Sequence, residues 1–198
     1  VLSDIQVPYM MEYLIRDNGT IIVTGSIDLT GTKLPELPRF GMRMELHQPY
    51  ENLTYYGRGP LENYIDRYSS SFIGRYENKV ENQFYWYIRP QETGNKTDVR
   101  WLTLLDSEGQ GVRITGLQPV AFSALHFSPE DLDPGLTRKL QHTIDIVPQK
   151  NIFLHVDLRQ RGLGGDNSWG MYPHNEYRLL DKKYTYSYMI ELVEKGSD

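Results

Sequence analysis

Apolar and polar residues alternate with a period of two along much of the chain, the spacing that sends successive side chains to opposite faces of a strand. In residues 20–29, Ile21, Val23, Ile27 and Leu29 point one way, and Thr20, Thr24, Ser26 and Asp28 the other. Met42, Met44 and Leu46 alternate with Arg43, Glu45 and His47. In 152–159, Ile152, Leu154, Val156 and Leu158 oppose Phe153, His155, Asp157 and Arg159. In 184–193, Tyr184, Tyr186, Tyr188, Ile190 and Leu192 oppose Thr185, Ser187, Met189 and Glu191. Further strands are predicted at 9–16, at 84–89 ending on Pro90, at 101–105, at 111–115 and at 120–127. Asp17-Asn18-Gly19 and Asp106-Ser107-Glu108-Gly109 join neighbouring runs as hairpin turns. One short helix is predicted at 128–132, where Ser128 caps, Pro129 takes the first position and Glu130 and Asp131 follow.

This pattern predicts an all-β fold, a large antiparallel β-sandwich. No internal repeat, low-complexity tract or linker divides it, so residues 1–198 read as a single domain. Fifteen tyrosines and eleven prolines also favour strands and turns. With no cysteine, disulfides, thiolate zinc sites and a cysteine nucleophile are excluded. The net charge of −5 and the lack of a basic cluster argue against nucleic-acid binding. No run approaches the roughly 18 apolar residues of a membrane-spanning helix, so no membrane partner is expected. The chain opens on Val1 in mid-pattern and reads as a fragment of a longer protein, which leaves the compartment open.

The stretch Gly162-Leu163-Gly164-Gly165-Asp166-Asn167-Ser168-Trp169-Gly170 is a sharply shaped loop, neither strand nor helix. It carries Asp166, Asn167 and Ser168, whose side chains lock local turns, and one tryptophan. An indole face beside hydrogen-bonding groups suits a sugar ring; the alternative is a Trp that caps a core. Residues 55–67, YYGRGPLENYIDR, pack Arg58, Glu62, Asp66 and Arg67 into one segment. They read as a structural turn held by ion pairs, with a ligand-facing role as the alternative. Histidines 47, 126, 142, 155 and 174 show no metal-ligand spacing, and no metal site is expected. No nucleophile elbow or phosphate loop occurs. A glycosidase needs two carboxylates facing each other about 5–9 Å apart. Glu62, Asp66, Glu92, Asp157 and Asp166 are available, but sequence selects no pair, so no catalytic residue is assigned.

Three segments together resemble one family: 34–41 (LPELPRFG), 56–67 (YGRGPLENYIDR) and 164–169 (GGDNSW). Glu92 and Gly94 after Pro90, with Arg100, fit the same pattern. In order and spacing they look like the C-terminal small-chain domain of glycoside hydrolase family 2, lacZ-type β-galactosidases. The resemblance implies a supersandwich akin to galactose mutarotase-like domains. It implies that the two catalytic glutamates, and the Mg and Na ions typical of the parent enzymes, belong to other domains, chiefly a separate TIM barrel. No cofactor is expected here, and the isolated chain is expected to be inactive. By motif position Trp169 is the loop tryptophan presented to the galactoside; Asp166 and Asn167 are candidate substrate-binding residues beside it whose main role is to shape its loop. Gly170-Met171-Tyr172-Pro173 departs from the family pattern. The implied partners are a β-galactoside, the remaining domains of the parent enzyme, and further copies in a homo-oligomer. The alternatives are an autonomous carbohydrate-binding or mutarotase-like domain, with His126, His142 and His155 as candidates by type, and an interaction domain without sugar contact.

Overall fold

The computed structural model describes residues 6–47, 49–133, 141–164 and 170–196. Their framework is nine antiparallel strands: β1 (Tyr9–Ile15), β2 (Ile21–Asp28), β3 (Arg39–Leu46), β4 (Asn52–Gly59), β5 (Phe72–Lys79), β6 (Lys96–Leu105), β7 (Gly111–Leu125), β8 (Ile152–Gln160) and β9 (Lys183–Val193). They pair in the order β1-β2-β9-β7-β6-β4-β5, with β8 branching from β7 and β3 lying outside β8. Apart from short 3-10 turns, helix among the described residues is limited to α1 (Pro129–Leu132). There the Ser128 side chain accepts from the Asp131 N–H at 3.1 Å, and Asp131 Oδ2 accepts from the Ser128 N–H at 2.8 Å. Ser128 thus caps the helix as the sequence predicts, and Asp131 returns the bond to complete a reciprocal cap.

The sheet becomes sandwich-like through β7. Its first part, Gly111–Gly116, pairs with β9, and its second, Ala121–Leu125, pairs with β8. The changeover falls at Gly116 and Pro119. A Cβ at Gly116 would lie 2.2 Å from the Gln118 carbonyl oxygen, and Pro119 has no N–H to give to a ladder. One strand thus serves two layers, and the faces turned inward bury Tyr55, Leu102, Phe122, Leu154, Val156 and Tyr188 almost completely. Tyr55 and Phe122 meet edge-on with ring centroids 5.2 Å apart, a favoured aromatic geometry.

Two expectations need correction, and two strands were not predicted, β5 and also β4, which runs into the 55–67 segment read as a turn. Residues 84–89 form no strand. Their alternation is real: Phe84 and Trp86 pack on Phe127 while Tyr85 and Tyr87 turn away. Alternation assigns faces, however, and a strand also needs a partner backbone, which this segment lacks among the described residues. The runs at 111–115 and 120–127 are one strand over Gly111–Leu125 instead of two. Finally, Phe72–Lys79 is a strand that the pattern did not single out, because its side chains are mostly exposed on both faces. It is specified by backbone pairing with β4, from Phe72 against Gly59 to Lys79 against Asn52.

Candidate functional site

The end of β4 and the segment that follows it form an internal brace. Gly57 and Gly59 let neighbours approach: a Cβ at Gly57 would lie 2.6 Å from Val99 Cγ2, and one at Gly59 would lie 2.1 Å from the Tyr55 hydroxyl. Arg58 donates from Nε to Asp98 Oδ2 at 2.5 Å and from Nη1 to the Ser71 carbonyl at 2.9 Å, and its guanidinium lies over the Tyr68 ring. Asn63 is fully buried. It donates to the Arg58 and Leu61 carbonyls and accepts from both the N–H and the hydroxyl of Thr97. Glu62 accepts from Thr93 Oγ1 at 2.5 Å, the Gly94 N–H at 2.8 Å, Arg67 Nη2 at 2.6 Å and the Tyr87 hydroxyl. Burial pushes its carboxyl pKa up, but these donors outweigh burial and hold it below the ordinary carboxylate value. The charges of Arg58, Glu62 and Arg67 are thus each paired, as the structural-turn reading expects.

One member of that turn reaches outward. Tyr64 and Arg67 exchange backbone hydrogen bonds, which presents Asp66 at the tip. Asp66 Oδ2 accepts from the Gly164 N–H at 2.5 Å, at the start of the glycine-rich loop. The same arm is held by Arg161 N–H on the Pro38 carbonyl at 2.9 Å and Gly162 N–H on the Tyr177 carbonyl at 2.8 Å. On the returning arm Tyr172 lies 4.5 Å from the Arg178 guanidinium and 5.8 Å from that of Arg161. Both arginines pair with Glu36, whose side chain is 4% exposed. Burial raises the Glu36 pKa, and the two guanidiniums more than reverse that. Between the arms opens a cleft of about 740 Å³, lined by Arg39, Tyr64, Glu92, Gln160, Met171 and Tyr172 among others.

Behind the cleft Arg39, at the start of β3, gathers the polar ends of β8. It donates to Glu92, to Gln160 and, at 2.9 Å, to His155 Nδ1. A guanidinium only donates, so His155 Nδ1 is the acceptor and its ring is neutral. Burial and the Arg39 charge together lower the His155 pKa to about 4. Arg39 Nε also lies 3.0 Å from Asp157 Oδ2. That N–H is directed to Gln160 Oε1 at 3.1 Å, however, and neither Asp157 oxygen has a hydrogen-bond partner among the described residues. Burial therefore dominates and raises the Asp157 pKa to about 7, against the pull of Arg39 and with the Glu92 charge adding to the rise.

The proposed sugar-contacting residues Trp169, Asp166 and Asn167 lie outside the described residues. The histidines are dispersed. His126 meets Glu51 Oε1 at 2.9 Å and the Asn151 carbonyl at 3.1 Å, at the far end of β8 from the loop. That is about 30 Å along a strand of this length. His142 pairs with Asp145 beside a 3-10 turn. Among the described residues no group of three or more His, Asp or Glu comes together as a metal site, and no helix is long and apolar enough to cross a membrane. Sequence reasoning missed Arg39, Glu36 and the burial of Asp157. Arg39 and Glu36 stood within the quoted 34–41 segment, but their partners at 92, 155–161 and 178 are distant in the chain.

Comparison with known proteins adds the family. Residues 3–190 match the model described as "Beta galactosidase small chain". A beta-galactosidase from Priestia megaterium is 34% identical over 180 residues, 90% of this chain and 17% of that protein. One from Streptococcus thermophilus is 34% identical over 192 residues, 96% of this chain and 18% of its own length. Beta-galactosidase BgaC from Bifidobacterium adolescentis is 35% identical over 164 residues, 80% of this chain and 15% of that protein. The chain thus spans less than a fifth of the length of these relatives.

Proposed function

The chain belongs to the beta galactosidase small chain family, and from that premise we propose that it is the non-catalytic C-terminal domain of a β-galactosidase. It contributes a loop tryptophan, Trp169, to a galactoside site completed by a separate TIM-barrel domain. The family match over residues 3–190 carries this reading. The local geometry supports it: both arms of the glycine-rich loop are tied to the sandwich, which gives a projecting indole a firm base. Asp166 and Asn167 shape that loop. The catalytic acids, and any cofactor or metal, belong to other domains of what we take to be a homo-oligomeric enzyme.

The chain's own carboxylates favour an inactive module. Glu36, Glu62 and Glu92 are each committed to an arginine, and Asp66 to a backbone amide. The isolated chain is therefore expected to leave a nitrophenyl galactoside uncleaved. A mutarotase-like activity fits less well, because it needs a histidine and a carboxylate converging on one sugar. His155 Nδ1 is occupied by Arg39, while the Glu51–His126 pair lies at the opposite end of β8.

The test is Trp169→Ala in the full-length enzyme, with kinetics on lactose and on a nitrophenyl galactoside. Stacking on an indole contributes about 1–3 kcal/mol by analogy with other aromatic platforms. The contact is made to ground and transition states alike, so KM is expected to rise more than kcat falls. Unchanged KM for both substrates in a stable enzyme removes Trp169 from the site, and loss of folding assigns it to the core.

A further inference from the structure

We propose that Asp66 is a positioning residue for the sugar contact, setting where the glycine-rich loop leaves the sandwich; this rests on the reading of Trp169 above. Three observations converge on it. Asp66 stands at the tip of a turn that is itself rigid, closed by the reciprocal Tyr64–Arg67 backbone bonds and flanked by the saturated Glu62 and Asn63. Its Oδ2 takes the Gly164 N–H at 2.5 Å, a charge-assisted bond between residues 98 apart in sequence. The loop is also fitted to the carboxylate. A Cβ on Gly162 would lie 2.7 Å from Asp66 Cγ, and one on Gly164 would lie 2.7 Å from Asp66 Oδ2.

Those two glycines have a specific use. Neither has the positive φ that makes glycine necessary for backbone reasons, as Gly19 and Gly170 do. What they share is the lack of a side chain where Asp66 approaches. Oδ1 of Asp66 is buried with no hydrogen-bond partner among the described residues, while Oδ2 is engaged by the Gly164 N–H. That contact fixes the chain at Gly164, the point from which the following residues set out.

The experiment is a double-mutant cycle in the full-length β-galactosidase, reading KM and kcat on lactose, with thermal unfolding as a control on folding. Asp66→Ala is expected to raise KM by about fivefold to tenfold, in line with loss of one charge-assisted hydrogen bond, and to change kcat far less. Its effect cannot exceed that of Trp169→Ala, because it acts through the same contact, and adding it to Trp169→Ala is expected to change KM no further. Asp66→Asn retains an acceptor oxygen and is expected to recover most of the affinity. Gly164→Ala, which pushes the loop off the carboxylate, is expected to reproduce Asp66→Ala. If Trp169→Ala raises KM while Asp66→Ala does not, or if the two effects multiply, the positioning role is wrong and the Trp169 reading stands. If neither substitution moves KM, both are overturned. An equal KM rise in Asp66→Asn and Asp66→Ala also defeats the proposal, since the acceptor would then be irrelevant.

Discussion

Replacing Asp157 by asparagine tests which force governs the polar centre behind the cleft. Asp157 is 1% exposed, its oxygens accept no hydrogen bond among the described residues, and Arg39 lies 3.0 Å away with its Nε–H directed elsewhere. Burial raises its pKa from an ordinary 3.8 to about 7. Between those values the folded state keeps a proton that the unfolded chain has released. Stability of the wild type therefore falls as pH rises from about 4 to about 7 and is level above that. That gap corresponds to at most about 4 kcal/mol, since any rearrangement of Arg39 on ionisation reduces it. His155 works in the opposite sense: its folded pKa of about 4 makes stability rise with pH up to its ordinary 6.5. Both proteins contain His155, so its contribution largely cancels in their difference. The assay is urea unfolding of wild type and Asp157→Asn at half-unit intervals from pH 4.5 to pH 8. The stability of Asp157→Asn relative to wild type is expected to climb by a few kcal/mol across that range and then level off. A constant offset added to that climb leaves the argument intact, because exchanging an oxygen for an amide nitrogen changes packing equally at every pH. A flat difference, or one that declines with rising pH, refutes the reasoning. A flat difference would mean that Arg39 holds Asp157 ionised as an ordinary ion pair throughout that range.

Glu62 is expected to behave in the opposite way. Its pKa is held below the ordinary 4.5 by Thr93, Tyr87, Gly94 and Arg67, so its contribution is present above that value and disappears as pH falls through the folded pKa. Glu62→Gln is expected to cost about 1.5–3 kcal/mol at pH 7, with the cost shrinking in acid, as read by urea unfolding; a cost independent of pH would show that the charge is immaterial. Leu102→Ala, at a fully buried β6 position, is expected to cost about 2–5 kcal/mol. A loss under 1 kcal/mol by the same measurement would mean that this part of the core is loosely packed.

Much of the fold was legible without coordinates, because its rules are local. Alternation placed Val23, Leu154 and Tyr188 on the buried faces of their strands. Asn18-Gly19 marked the first hairpin, where Gly19 adopts a φ of +82°, and Ser128 marked α1. Local rules failed where a partner decided the outcome. Residues 84–89 alternate but find no ladder, and Phe72–Lys79 scarcely buries a side chain yet pairs with β4 throughout. In β8 the alternation puts Asp157 on the face opposite Leu154 and Val156 and says nothing of how deeply that face is buried. Asp157 is nonetheless buried, its side chain filling the space left by the missing side chain of Gly41 on the neighbouring strand. The candidate site divides in the same way. The resemblance of three motifs indicated the family, and the glycine-rich stretch was recognisable as a loop from its composition. That Asp66 meets Gly164, that Glu36 joins Arg161 to Arg178, and that Arg39 gathers Glu92, His155 and Gln160 are contacts between residues far apart in the chain. A one-dimensional sequence lists the charges; only the closing of the sandwich determines which of them lose water and which partner each one then finds.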